Sequence, residues 1–204
     1  TPSGSAMLSS IVSKGYIFLL MKIMYRVIGL DVIVSTGIQD VLFVFALVGM
    51  VMGSISAIRQ TDIRRMIAFS SVAQIGYVFM GIGLGTDEGM MAATFHIFSH
   101  AVCKSMLFLA AGGLADASNN SKKFRDLRGA GFRSPIAGVA FTIGALSMVG
   151  FPFLGGFASK LNFALAAMDV GGARTMLVLI TLAISTWLNT LYFLRTVITL
   201  YRKP

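Results

Sequence analysis

Long apolar stretches separated by short polar segments dominate this 204-residue sequence. A helix needs about 20 mostly apolar residues to cross the hydrocarbon core of a bilayer. None of the stretches alternates with the two-residue period of a barrel wall, so helices are predicted and strands are not. The pattern predicts six membrane-crossing segments, over residues 5–28, 38–58, 63–85, 89–116, 134–169 and 173–201.

Composition supports a membrane protein. Hydrophobic residues make up 56% of the chain and charged residues 12%, and the mean hydropathy is +0.82. Soluble domains carry about 25% charged residues. The formal net charge of +9 would suggest nucleic acid as a partner for a soluble protein, but here the basic residues cluster in loops and at helix ends. Nucleic acid is therefore not expected as a partner, and the predicted fold class is an all-α polytopic transmembrane helical bundle in the lipid bilayer.

Charges in the predicted loops alternate from one end of the bundle to the other. The loops after the second and fourth predicted helices are strongly basic, whereas Asp87 and Glu88 occupy an intervening loop without a basic residue. Basic loops remain on the cytoplasmic side of a membrane. Six crossings, a multi-pass location in the inner (plasma) membrane and a cytoplasmic C-terminus are therefore predicted. The basic loop residues are Arg59, Arg64, Arg65, Lys122, Lys123, Arg125, Arg128 and Arg133.

The predicted fifth segment, 134–169, contains a strong helix-breaking sequence. Proline removes a backbone donor and glycine weakens a helix, so a break is expected near the middle. Transporters place ion sites at broken helices, where protein or water satisfies the freed backbone groups. The alternative is a simple proline kink, with Lys160 extending to the membrane interface. The residues that define the predicted break are Gly150, Pro152, Gly155 and Gly156.

Lys14, Lys104 and Lys160 lie well inside apolar stretches. Placing a lysine near the centre of a bilayer costs about 2.5–3.5 kcal/mol on insertion scales. Residues of this kind usually face the bundle interior or a wet cavity, and they mark routes for ions or protons. The three lysines are therefore the first candidate functional residues.

Two histidines precede Lys104 at helical spacing. His96, His100 and Lys104 follow one another at i, i+4 and i+8, so they form one polar stripe on a helix, with steps of about 6 Å that one water could bridge. Histidine exchanges protons near neutral pH, and a buried lysine can do the same, so a proton relay is predicted. A zinc site is one alternative, but no acid or further cysteine occupies a central segment to complete it. A pair of structural interhelical hydrogen bonds is the other alternative.

The sequence shows no sign of a redox cofactor. Cys103 is the single cysteine, which rules out an internal disulfide and a cysteine cluster, and no haem or flavin motif is present. No cofactor, no metal and no catalytic site of its own are therefore expected. Whether the chain acts within a larger enzyme stays open at this stage.

Four stretches match the motifs of one membrane protein family. They are Thr1-Pro2-Ser3 before the Lys14 helix, residues 60–77, residues 96–109 and residues 150–160. On these motifs the chain resembles the antiporter-like membrane subunits shared by respiratory complex I, Mrp-type cation/proton antiporters and membrane-bound hydrogenases. Within the family the pattern is most similar to the D-type subunit of Mrp antiporters. Lys160 stands where one complex I subunit type has glutamate, and Leu161-Asn162 and Phe153 depart from common family residues.

The resemblance implies a larger fold with two inverted five-helix repeats. By this comparison the chain is a fragment, with residues 1–28 as the last helix of the first repeat and 38–201 as the second repeat. The sequence has neither an initiator methionine nor a signal peptide, as expected for a piece of a longer polypeptide. The resemblance assigns Lys14 as the central relay lysine, the His96–His100–Lys104 stripe as the middle of the proton path, and Lys160 as the terminal exchange position. It also implies other membrane subunits as partners, with protons and either Na⁺ or K⁺ as candidate ions.

These observations lead to a hypothesis and two alternatives. The hypothesis is a proton-translocating, or cation/proton antiporting, subunit of an energy-converting complex such as NADH:quinone oxidoreductase or an Mrp antiporter. One alternative is a structural membrane subunit that conducts nothing itself. The other is a secondary transporter for a small solute, which a broken helix suits, although no aromatic cage or anionic-substrate pocket is readable.

Overall fold

The computed structural model describes residues 2–203, and Thr1 and Pro204 lie outside the described residues. That part of the chain is helical apart from loops and an isolated bridge between Asp62 and Lys123. The first helix includes π-helical turns at Leu8–Val12 and Ile23–Ile28. The helices are α1 (Ser3–Ile28), α2 (Leu30–Thr36), α3 (Ile38–Ile58), α4 (Ile63–Gly83), α5 (Asp87–Asp116), α6 (Ala130–Arg133), α7 (Pro135–Val149), α8 (Gly155–Val170) and α9 (Gly172–Tyr201).

Five of these helices are long and apolar enough to cross a membrane, namely α1, α3, α4, α5 and α9. Helices α7 and α8 divide the remaining predicted segment at residues 150–154, so the expected bundle with one broken helix is confirmed. Helix α2 was not predicted. It is too short to cross a bilayer, and it lies between Gly29 (φ 89°) and Gly37 (φ 70°), which separate it from its neighbours.

The basic loops meet at one end of the bundle. The Ile63 backbone N–H donates to the Lys122 carbonyl at 3.0 Å, and the Phe124 N–H donates to the Thr61 carbonyl at 3.1 Å. Arg195, near the end of α9, donates to the Ile58 carbonyl at 3.4 Å. The end of α9 therefore lies on the same side as both basic loops. Its assignment to the cytoplasm stays a prediction.

The other end of the bundle carries the acidic loop. Tyr25 donates to the Asp87 carboxylate at 2.8 Å, which joins α1 to the start of α5. Arg174 pairs with Asp40 and donates to the Gly83 carbonyl at 3.3 Å. The alternation of loop charge read from the sequence is therefore present in the folded bundle.

Apolar side chains form two buried clusters. One cluster includes Ile97 and the other Cys103, so the two clusters meet along α5 at the position of His100. Apolar side chains also cover the outer surface, where Phe45 is 72% exposed and Val102 70% exposed. An apolar outer surface suits contact with hydrocarbon. Polar chemistry is therefore concentrated in the interior, between the two clusters.

Asp62 caps the start of α4, and its removal should weaken the fold. Its carboxylate accepts from the backbone N–H of Arg64 at 2.8 Å and of Arg65 at 3.1 Å. Asp62→Ala should lower the free energy of unfolding by about 1 kcal/mol, because these donors lose their partner. Thermal unfolding of the purified protein in detergent, followed by circular dichroism, measures the change. Asp62→Asn keeps the cap and should stay near wild type; equal losses in both variants would contradict the capping role.

Candidate functional site

The histidine–lysine stripe of α5 faces the interior of the bundle. His96 is 4%, His100 2% and Lys104 0% exposed. The two imidazole rings are stacked, with centroids 5.7 Å apart and planes within 5° of parallel. Helical spacing thus places the three side chains in one buried file.

His96 is held by residues of α4 and α8. Its Nδ1 lies 2.5 Å from the Ser159 hydroxyl, and its ring stacks on Tyr77 at a centroid distance of 5.4 Å. Phe163 packs edge-on against the same imidazole, with the two ring centroids 5.5 Å apart. Since Ser159 directly precedes Lys160, this hydrogen bond links the histidine file to the second half of the broken helix.

His100 lines a small enclosed cavity. Neither of its ring nitrogens has a hydrogen-bond partner among the described residues. The cavity beside it measures about 10 Å³, which is about the room that one water molecule needs. Buried polar atoms are ordinarily hydrogen-bonded, so a water at this position would satisfy one nitrogen of the ring. Other polar residues that line the cavity are Gln74, His96, Ser99, Cys103, Ser147 and Lys160.

Lys104 is anchored to α4. Its Nζ donates to the Ile67 carbonyl at 2.9 Å and to the Ser70 hydroxyl. The Ser70 hydroxyl in turn donates to the same Ile67 carbonyl at 2.8 Å. The ion pairs found among residues 2–203 join Arg125 to Asp126 and Arg174 to Asp40, so Lys104 has no carboxylate partner there. Neutral oxygens alone hold this amine.

Lys14 lies on α1, next to a π-helical turn. It is 5% exposed, and its Nζ donates to the Ser9 carbonyl and to the Ser13 hydroxyl, the latter at 3.3 Å. The Ser9 hydroxyl lies 3.0 Å from that of Ser71 and so connects this part of α1 to α4. Because the Ser71 hydroxyl donates to the Ile67 carbonyl at 3.2 Å, which also accepts from Lys104, these groups lead from Lys14 towards Lys104.

Lys160 folds back onto the break between α7 and α8. Its Nζ donates to the Val149 carbonyl at 2.6 Å and to the Met148 carbonyl at 3.2 Å, the last carbonyls of α7. A helix C-terminus carries partial negative charge and favours a cation. The amine also lies 5.9 Å from the centre of the Tyr77 ring. The amine is therefore bonded inside the protein, and a kink with an extended lysine does not describe its position.

The glycines of the break make room for this arrangement. Gly150 has φ 96°, and a Cβ there would meet Lys160 Cδ at 3.1 Å. Gly156 packs directly against the Ser147 backbone, and its N–H donates to the Ser147 hydroxyl at 3.3 Å. Pro152 lies in the exposed connection between the half-helices, and Gly155 begins α8. The sequence-predicted break is therefore where the lysine amine binds.

Lys160 also lines an open groove of about 520 Å³ on the outside of the bundle. It is thus shared by this groove and by the enclosed cavity of His100. Within residues 2–203 no three His, Cys, Asp or Glu side chains are grouped to hold a metal ion. The arrangement suits transfer of protons between buried bases, with one base at the rim.

The chain matches the sequence pattern of a known protein family. The protein-family model described as "NADH:quinone oxidoreductase/Mrp antiporter, TM" matches residues 1–186. The chain belongs to this family. The family resemblance read from the sequence motifs is confirmed, whereas the D-type assignment within the family stays a prediction.

Related subunits are much longer than this chain. It is 35% identical over 198 residues to NADH-quinone oxidoreductase subunit N of Desulforudis audaxviator, which covers 97% of this chain and 38% of the relative. It is 30% identical over 167 residues to NADH-quinone oxidoreductase subunit L of Buchnera aphidicola subsp. Schizaphis graminum, which covers 80% of this chain and 26% of the relative. The chain therefore spans well under half the length of these curated relatives.

Solved structures share the fold. A chain of an archaeal respiratory membrane complex, the membrane-bound sulfane sulfur reductase, matches with a TM-score of 0.84 and 30% identity, over 98% of this chain and 41% of that one. A chain of the Mrp complex from Dietzia sp. DQ12-45-1b matches with a TM-score of 0.86 and 26% identity, over 100% of this chain and 37% of that one. These relatives make the chain a polytopic membrane protein of the antiporter-like kind.

Several residues around the family's histidine and lysine positions were not predicted as site residues. Ser159 and Tyr77 contact His96, Ser70 binds Lys104, and Gln74 lines the His100 cavity. A signal was available for three of them. Ser70, Gln74 and Tyr77 lie at i, i+4 and i+7, which places polar groups on one face of an otherwise apolar helix.

Proposed function

We propose that the protein is a proton-translocating subunit of an energy-converting membrane complex, in which buried lysines and histidines carry the proton. The single observation that carries this proposal is the position of Lys160, which lines both the enclosed His100 cavity and the outer groove. A base placed in this way can exchange a proton with the interior on one side and, once neighbouring subunits cover the groove, with water enclosed in it on the other. Antiport of Na⁺ or K⁺ would be a variant that uses the same groups.

Charge at Lys14 would drive the first step. Two amines in a dry bundle repel each other strongly when both are charged, because the local dielectric constant is low. A proton arriving at Lys14 would therefore favour release from Lys104, which is linked to Lys14 through Ser9, Ser71 and the Ile67 carbonyl. The nearest titratable group on the same helix face is His100, one helical turn away.

The remaining steps run from His100 to the rim. A single water in the adjoining cavity would bridge one of the unpaired His100 nitrogens to the Lys160 amine. His96, oriented by Ser159, borders the same cavity and offers a second acceptor. Lys160 would then release the proton into the groove, and the Val149 and Met148 carbonyls would hold the amine when it is charged.

The surroundings are part of this proposal. Residues 1–28 would be the last helix of one repeat and 38–201 the second repeat of a larger inverted-repeat subunit. Other membrane subunits of the complex would supply the redox or ion-gradient energy, and the complex would lie in the inner (plasma) membrane with the basic end in the cytoplasm. The length of the relatives supports this view, because the chain covers 38% of the subunit N relative.

Lys14→Ala and Lys160→Ala, introduced separately into the whole parent protein, test the proposal. Each should reduce proton transport by about 10²-fold or more, because a relay fails when one proton-exchanging group is removed. Transport is measured by a pH-sensitive dye in membrane vesicles that contain the assembled complex. Lys22→Ala is the matched control, since Lys22 lies on α1 but is exposed and contacts Phe18. Normal transport in both variants at normal assembly would overturn the proposal.

The hydrogen bonds of the lysines also support a second candidate, a purely structural role. Lys14, Lys104 and Lys160 each donate to a backbone carbonyl of a helix. In this case the variants would lower the amount of assembled complex and leave transport per complex unchanged. Quantifying the complex in the same vesicles separates the two roles. Uptake of small solutes by reconstituted protein addresses the secondary-transporter alternative.

A further inference from the structure

Three buried polar atoms between α4 and α9 are without a hydrogen-bond partner in the described part of the chain. They are the Tyr77 hydroxyl, the Ser185 hydroxyl and the Asn189 amide nitrogen, each on a residue that is 0% exposed. Almost all buried polar groups in proteins are bonded to protein or to ordered water. Three unmet groups on one helix–helix seam therefore point to water within it.

The seam continues to Lys104. Ser185, Asn189 and Tyr192 lie at i, i+4 and i+7 on one face of α9. The Tyr192 hydroxyl donates to the Asn189 side-chain oxygen at 2.5 Å, and it also lies close to Ser70. Ser70 accepts from Lys104. A chain of hydroxyl and amide groups thus leads from Lys104 along α9.

The other end of the seam lies beside the Lys160 side chain. The Tyr77 hydroxyl lies near the Ser185 and Thr186 hydroxyls but outside hydrogen-bond geometry, and the Tyr77 ring stacks on His96 with centroids 5.4 Å apart. The Lys160 amine lies 5.9 Å from the centre of the same ring. The seam therefore runs from Lys104 to the Tyr77 ring beside Lys160, and it follows α9 where the histidine file follows α5. We call this set of five residues the α9 seam: Ser70, Tyr77, Ser185, Asn189 and Tyr192.

We propose that water occupies the α9 seam and makes it a second proton route between Lys104 and Lys160, parallel to the histidines. Each hydroxyl or water accepts one proton and releases another, so no group in the seam changes its net charge after a transfer. Asn189 is a positioning residue, because its side-chain oxygen already accepts from Tyr192 and from Ser54 at 3.4 Å and its amide faces the unfilled end. This inference rests on the proposed proton transport.

Combined substitutions in the whole parent protein test the seam. Asn189→Leu and His100→Leu should each reduce proton transport in vesicles about twofold, because each leaves one route, and the double variant should lose more than about tenfold. In the His100→Leu background, Asn189→Ser should transport as well as His100→Leu alone and better than the double leucine variant, since serine bonds to water and leaves room for it. Thr196→Val is the control; Thr196 is buried on α9, and its hydroxyl donates to the Tyr192 carbonyl of its own helix.

The outcomes separate the seam from the proposed function. The seam would be overturned if Asn189→Leu transports at the wild-type rate, both alone and combined with His100→Leu, while Lys104→Met loses transport. Equal losses in Asn189→Ser and Asn189→Leu would also overturn it, because packing and not hydration would then explain the effect. Normal transport in Lys104→Met would overturn the proposed function, and the seam with it.

Discussion

Replacing Lys104 with methionine is expected to reduce proton transport by about 10²-fold or more without unfolding the bundle. Methionine has a similar length and fills the same fully buried space, but it cannot exchange a proton. The substitution leaves no backbone acceptor unpaired, because the Ile67 carbonyl still accepts from Ser70 at 2.8 Å and from Ser71 at 3.2 Å. Transport per assembled complex in vesicles measures the effect.

A second variant at Lys104 separates proton exchange from hydrogen bonding. Lys104→Arg keeps a donor for Ile67 and Ser70, but guanidinium stays protonated at all working pH values. It should therefore transport as poorly as the methionine variant. Ser105→Ala is the matched control on the same helix, since the Ser105 hydroxyl donates to the Ala101 carbonyl of its own helix at 3.1 Å. Wild-type transport in the arginine variant would show that Lys104 acts through its hydrogen bonds.

Much of the fold follows from the sequence, because a bilayer constrains it strongly. Apolar length alone located each crossing, and the Gly150–Gly156 sequence located the break between α7 and α8. Helix α2 escaped prediction because seven residues between two glycines carry no crossing signal. The local sequence pattern is thus sufficient to predict a helix that must span the membrane, but it is insufficient to predict a short helix that does not.

The candidate site was only partly predictable. Helical spacing brought His96, His100 and Lys104 into one file, since that relation lies within a single helix. The contact of Ser159 with His96 joins two helices, and their relative rotation depends on packing of the whole bundle. The return of Lys160 to the Val149 carbonyl likewise depends on how α8 lies against α7. Polar residues at helical spacing on α9 gave a signal for the seam, but their depth became visible only in the folded bundle.

Gly156→Ala is expected to destabilise the junction of α7 and α8 by roughly 3 kcal/mol, near the upper end for overpacking. A methyl group at this position would overlap the backbone carbonyl of Ser147, and backbone cannot move aside as a flexible side chain can. Separation of the half-helices would also weaken the hydrogen bond from the Gly156 N–H to the Ser147 hydroxyl, now 3.3 Å long. Transport should fall as well, because Lys160 on α8 binds carbonyls of α7.

Thermal and denaturant unfolding of the purified protein in detergent measures this loss. Gly49→Ala is the matched control, because a Cβ at Gly49 on α3 meets nothing within 4 Å. Alanine there should stabilise the helix by about 0.5–1 kcal/mol. If Gly156→Ala instead melts like Gly49→Ala and transports normally, α7 and α8 can separate without cost. The carbonyls of α7 would then not fix Lys160 at the rim, and the broken helix would have no part in positioning the exchanging amine.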